Sequence, residues 1–140
     1  MSSVETARRG FVAFSERDLE TLLAMFTKEI DPSARLVMRP SWSEREHVYE
    51  GAEGVQKVRA ALERELDDLR QDIVSVEEAG EHAIVIYRQS GRHRHSLRED
   101  VVELAQLWRF EDGKVVEVRV FDSPDGARDA AREPTGDQRA

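Results

Sequence analysis

The sequence predicts an α+β fold in which a curved, mostly antiparallel sheet wraps around a long helix and leaves an apolar pocket. Three observations carry this. Apolar residues recur at helical spacing through the first half of the chain, to residue 69. From residue 73 to 121 the pattern changes to β-branched and aromatic runs separated by turn signals. Helices gathered ahead of consecutive strands give α+β with an antiparallel sheet rather than alternating βαβ units.

Taken in order, Val4, Ala7, Phe11 and Phe14 place a first helix over 4–15. Asp18 is the N-cap of a short second helix over 19–26, whose apolar face is Leu19, Leu22, Leu23 and Phe26. Asp31-Pro32 breaks it. Leu36, Val37 and Met38 form a short strand ending at Pro40, a polar loop carries Trp42, and 47–50 is a second short strand. Val55, Val58, Leu62, Leu66 and Leu69 keep a three-to-four residue rhythm, which predicts a long helix over 52–69. Strands follow over 73–78, 83–90, 101–110 and 115–121. A basic hairpin tip lies at 91–97, and a turn at 111–114 uses Gly113 for positive φ. Ser123-Pro124 reads as an N-cap followed by proline at the first position of a last short helix. Residues 1–132 form one domain, and 133–140, with Pro, Gly and charge, form a loose tail. A long bent meander with helices on its concave side leaves a pocket.

A chain of 140 residues that is 39% hydrophobic and 36% charged fits one globular domain with a charged surface. With no cysteine, disulfides, thiolate metal sites and cysteine nucleophiles are excluded, and a cytoplasmic location is expected. The N-terminus does not read as a signal peptide, and no run approaches the ~20 apolar residues that span a bilayer. A net charge of −8 argues against nucleic acid or an anionic membrane as the main partner. No phosphate loop or dinucleotide fingerprint is present, and no cofactor is expected. His93 and His95, two apart, have a spacing that can hold zinc, but flanking arginines and the lack of a third ligand favour a solvated hairpin; no metal is expected.

The segments SERDLETLLAMF, LVMRPSW, VYEGAEGVQKV and AQLWRFEDGKVVEVRVFD, in that order, resemble the SnoaL-like branch of the nuclear transport factor 2-like superfamily over about residues 4–132. The resemblance implies a cystatin-like cone enclosing a ligand pocket. That family includes ketosteroid isomerases, polyketide cyclases and epoxide hydrolases, so a fold match does not choose a chemistry. By resemblance, Arg39 stands where the isomerases carry their general-base Asp, and Gln106 stands where isomerases and cyclases carry an acidic group. Arg88 matches the arginine of the epoxide hydrolases, whose two carboxylates fall on Ser90 and Val120. A guanidinium does not take protons and Gln106 cannot shuttle one. Proton abstraction by the family's usual groups is therefore expected to be weak or absent.

Strand alternation and the resemblance together predict the lining. Leu104, Gln106 and Trp108 point inward with Val116, Val118, Val120 and, less clearly, Asp122. Ile84, Ile86 and Arg88 line the preceding strand, Val37 and Arg39 the first, and Phe14 faces in from the first helix. Trp42 is either a lid or a loop anchor. Gln106 is the best catalytic candidate if it polarises a carbonyl, and is otherwise a satisfied buried amide. Each inward arginine either meets an internal carboxylate, such as Asp72, Glu78 or Asp122, or lies at the solvent-exposed rim, or meets a ligand anion. The expected ligand is small, mostly hydrophobic, and carries a carboxylate or carbonyl. The competing reading is an interaction module with a filled cavity. A homodimer is expected through the outer sheet face, carrying Val85, Tyr87, Ala105, Leu107 and Phe121 with Glu103, Glu117, Arg109 and Arg119 among them.

Overall fold

Local capping starts the first, second and last helices close to where the sequence placed them. In the computed structural model, which describes residues 2–39 and 44–133, Ser2 Oγ accepts the Glu5 N–H and opens α1, Ser3–Ser15. Asp18 accepts the Thr21 N–H and opens α2, Leu19–Met25. Ser123 accepts the Gly126 N–H, with Pro124 following, and opens α4, Pro124–Arg132. Between them lie β1 (Ile30–Met38), β2 (His47–Glu50), α3 (Gly51–Glu65), β3 (Leu66–Ala79), β4 (His82–His93), β5 (Glu99–Glu111) and β6 (Lys114–Phe121). Trp42 and positions 134–140 of the expected tail fall outside the described residues.

The strands form one open sheet in the order β2-β1-β6-β5-β4-β3. All neighbours are antiparallel except β1 and β6, which run parallel. The expected α+β architecture with a mostly antiparallel sheet is therefore present.

The long helix is shorter than its apolar rhythm predicts. It ends at Glu65, and Leu66 and Leu69 belong to β3, which pairs with β4 from Leu66↔His93 onward. Long-range pairing overrides the local period here. Asp68 takes a positive φ of 54° at the register shift between Asp67 and Arg70, a bulge that lets the chain turn from helix into strand. Gly91 makes the approach possible, since a Cβ there would lie 3.3 Å from Leu66 Cβ. The first strand is correspondingly longer than 36–38, starting at Ile30.

The inner core packs Ala7 and Phe11 of α1 and Met25 of α2 against Val85, Tyr87, Trp108 and Val115 of the sheet. The Phe11 and Tyr87 rings lie 4.7 Å apart. Gly10 lets α1 cross the Trp108 indole closely, because an added Cβ would sit 2.6 Å from Trp108 Cη2.

The outer face carries a second cluster. Ala127, Ala130 and Ala131 of α4 pack over Ile84, Ile86, Ala105 and Leu107. Arg128 reaches β3 through Glu77 at 2.9 and 2.5 Å, and Arg109 Nη2 donates to the Ala130 carbonyl at 3.3 Å. This corrects the expected homodimer patch. Leu107 is fully buried within its own chain, and Val85 and Tyr87 belong to the inner core. The last helix occupies the apolar part of the face that was assigned to a second copy.

Candidate functional site

Between α1, α3 and the concave face of the sheet lies a cavity of about 490 Å³. Phe11, Phe14, Val58, Leu62, Leu104 and Val118 are among its apolar walls. The Phe14 ring carries the Arg59 guanidinium 5.4 Å from its centroid, which holds that wall from the side of α3.

Several of the expected residues, on β5 and part of β6, lie along this cavity. Leu104, Gln106, Trp108, Val118 and Val120 all reach the cavity, as do Phe14, Asp122 and Arg39. Arg39 lies at the rim with most of its side chain in solvent, 4.0 Å from Asp122. Asp122 is itself almost wholly in solvent, so the two make a weak surface pair.

Ile86 and Arg88 do not line the cavity. The register Val85↔Gln106, Ile86↔Ala105, Tyr87↔Leu104 and Arg88↔Glu103 puts Val85 and Tyr87 on the concave face. Ile86 lies under α4, and Arg88 is exposed opposite Glu103. Ile84 is likewise outer, and so is Val37, paired in register with Arg119 rather than with Val118. A register shift between Arg109 and Phe110 brings Val115 rather than Val116 to the inside. The parity of β4 was not legible for a physical reason. His82 to Tyr87 are buried without a break, so the strand is covered on both faces and shows no apolar–polar alternation.

The inner polar group is Gln106. Its Oε1 accepts the Trp108 Nε1–H at 2.9 Å, and its side chain also hydrogen-bonds the buried Tyr87 hydroxyl. Burial pushes the Tyr87 phenol well above its ordinary range, so it stays neutral. With Oε1 taken by Trp108 and one N–H directed at the Tyr87 oxygen, the second amide N–H is what Gln106 has to offer.

Further along the strands is a second polar group that sequence reading missed. Gln71 Nε2 donates to Gln89 Oε1 at 2.8 Å, while Gln71 Oε1 is buried without a hydrogen-bond partner. Beyond it, His93 Nε2 lies 2.6 Å from Asp100 Oδ2, and Arg98 Nε lies 3.3 Å from Asp100 Oδ1. His93, Arg98 and Asp100 all line the same cavity. The His93 hydrogen bond, and then the Arg98 charge, hold the Asp100 carboxyl below its ordinary range. The basic hairpin is therefore a cavity wall as well as a solvated tip. The available signal was the seven-residue separation of His93 and Asp100 across one hairpin, which is meaningful only once the turn is known. Among the described residues, no group of three His, Asp or Glu side chains is placed to hold a metal, and no helix is long and apolar enough to cross a membrane.

A family model described as a SnoaL-like domain matches residues 7–118. No curated protein matches the chain. Among solved structures, a nuclear transport factor 2-like protein from Burkholderia thailandensis is 21% identical, with 96% of this chain and 99% of that one covered at a TM-score of 0.74. A hypothetical protein with a ketosteroid isomerase-like fold from Catenulispora acidiphila, in complex with trimethylamine, is 14% identical, with 95% and 96% covered and a TM-score of 0.67. TerC, co-crystallised with polyporic acid, is 15% identical, with 94% and 98% covered and a TM-score of 0.68. These structures share the fold.

Proposed function

We propose that this chain, which belongs to the SnoaL-like family, binds a small, mostly hydrophobic ligand in its cavity and orients it through a carbonyl oxygen on the Gln106 amide. The observation that carries the reading is an apolar cavity of about 490 Å³ in which Gln106 has its acceptor oxygen and one N–H engaged and its second N–H left to donate. Apolar walls supply most of the affinity in such sites and a few polar groups fix orientation. The open acceptor Gln71 Oε1 favours a ligand that also carries a hydroxyl or amine hydrogen.

Fold neighbours have been crystallised with an acid and with an amine, so they do not choose the ligand's charge. The lining around Gln106 supports a neutral one. Around Gln106 the polar groups are neutral amides and a phenol, the lining charges Arg98 and Asp100 face each other, and Arg88, the expected anion partner, faces away. A neutral carbonyl compound fits better than a carboxylate. An open cavity with Phe14 and Trp108 in place also weighs against the filled-cavity module. Pairing of two copies through Leu107 would require α4 to lift, so this reading assigns no role to that interface. The absence of cysteine is consistent with work in the cytoplasm.

The test is a set of ligands on one skeleton: 2-acetylnaphthalene, 2-ethylnaphthalene, naphthalene-2-carboxylate and 2-(aminomethyl)naphthalene, titrated by calorimetry. The ketone is expected to bind most tightly. Gln106→Leu should weaken it by about 0.5–1.5 kcal/mol, the worth of a neutral hydrogen bond, and spare the ethyl compound. Tightest binding by the ammonium compound, or a ketone affinity indifferent to Gln106→Leu, would overturn the assignment.

A further inference from the structure

Among the described residues, one imidazole lines the cavity, and the family resemblance did not point to it. That side chain is His93. Its Nε2 lies 2.6 Å from Asp100 Oδ2, and both residues line the cavity. With Nε2–H donating to the carboxylate, Nδ1 carries the lone pair.

The pair is held in place from several directions. The hairpin closes on itself through His93 N–H to the Arg98 carbonyl at 2.9 Å and Leu97 N–H to the His93 carbonyl at 2.7 Å. Arg94 then ties it to the end of α3. Its backbone N–H donates to the Glu65 carbonyl at 3.0 Å, its Nε donates to the Glu63 carbonyl at 2.9 Å, and its Nη1 lies 2.6 Å from Asp67 Oδ1. Gly91 stands opposite Asp100 in the ladder, and its missing side chain lets Leu66 and the Asp67 carbonyl close in on the hairpin there. Arg98 lies against Asp100 and is otherwise largely in solvent, so it presents a positive charge at the same mouth.

We propose that His93 is a catalytic base acting on a carbon acid bound in the cavity, with Asp100 as its positioning residue and Arg98 as the cation facing the developing oxyanion. The proposal rests on the reading above only in that a hydrophobic ketone enters this cavity, and it adds a second pose with the carbonyl at the hairpin end. His93 Nδ1 takes the proton from a carbon next to a ketone. The C–H electron pair becomes the C=C bond of an enolate as the carbonyl π pair moves onto oxygen, where Arg98 faces it. Asp100 stays ionised and stabilises the imidazolium. Return of a proton to carbon restores the ketone and neutral His93, so no oxidant, reductant or co-reactant is consumed. On β5, Asp100 lies six residues from Gln106, about 20 Å along an extended strand, so the two polar groups act on different parts of the cavity. A ketone at the hairpin end is processed there, and one held only at Gln106 is not.

The test is hydrogen–deuterium exchange of the benzylic α-protons of 2-tetralone in deuterated buffer, followed by proton NMR, with binding measured in the same samples by saturation-transfer difference. The full-length protein is expected to exchange bound 2-tetralone at least a hundredfold faster than buffer, within the usual range for a positioned general base. His93→Gln should return exchange to the buffer rate with binding unchanged within about twofold. Asp100→Asn should cost tenfold or more in exchange with the same retained binding, a split that a purely structural role would not produce. Bound 2-tetralone without exchange, or exchange that survives His93→Gln, overturns the proposal while leaving the pocket reading standing. Failure of 2-tetralone and of the naphthalene ketone to bind at all would bring down both.

Discussion

Replacing Gln106 with leucine tests whether the inner amide is a structural tie, a ligand contact or both. The side chain is almost fully buried, as are the Trp108 indole and the Tyr87 phenol that it joins. Leucine fills similar volume but withdraws the acceptor 2.9 Å from Trp108 Nε1 and the partner of the Tyr87 hydroxyl. An orphaned buried polar group costs about 1–3 kcal/mol, and two are created. The gain from burying a more apolar side chain offsets about 1–2 kcal/mol of this. The net loss is about 2 kcal/mol, or roughly 6–8 °C in Tm for a domain of this size. Thermal unfolding by circular dichroism and urea titration measure it. The cycle is completed by Trp108→Phe, which removes the indole N–H. The double variant should be less destabilised than the sum of the singles by about 1 kcal/mol. An additive cycle together with a Gln106→Leu protein as stable as wild type would refute the tie and leave Gln106 simply facing an open cavity.

Two further outcomes follow from other parts of the fold. Gly10→Ala gains about 1 kcal/mol of helix propensity but places a methyl 2.6 Å from a buried indole, so it should destabilise the protein and shift Trp108 fluorescence; a stabilised variant with an unchanged spectrum would contradict the packing of α1 on β5. His82 Nδ1 accepts the Phe110 N–H at 3.1 Å, and burial lowers its pKa below the ordinary 6.5. Below 6.5 the unfolded chain takes up a proton that the folded chain resists, so His82 should erode stability as pH falls from 6.5 toward its lowered folded value. His82→Asn should flatten that part of the pH–stability curve, and a slope unchanged in the variant would assign it to other groups.

The sequence by itself determined the order of the elements and, apart from residues 66–69, their types. Capping residues, proline breaks and turn glycines are local, and they placed α1, α2 and α4 within a residue or two. On β5 the inward set Leu104, Gln106 and Trp108 was legible from alternation anchored at Gln106 by the resemblance. Tertiary structure decided the rest. Leu66 and Leu69 fit both a helical rhythm and a strand, and pairing with β4 chose the strand. β4 is apolar on both faces because α4 folds back over the outer one, so its parity, and with it the fate of Ile86 and Arg88, was settled by register with β5. The same return of α4 covers Leu107, which no local pattern announces. His93 and Asp100, seven residues apart, become a pair only when the hairpin closes and Arg94 fixes it to α3. Periodicity records how a residue relates to its near neighbours in the chain. Which face is covered, and which polar groups meet, depends on segments far away in sequence.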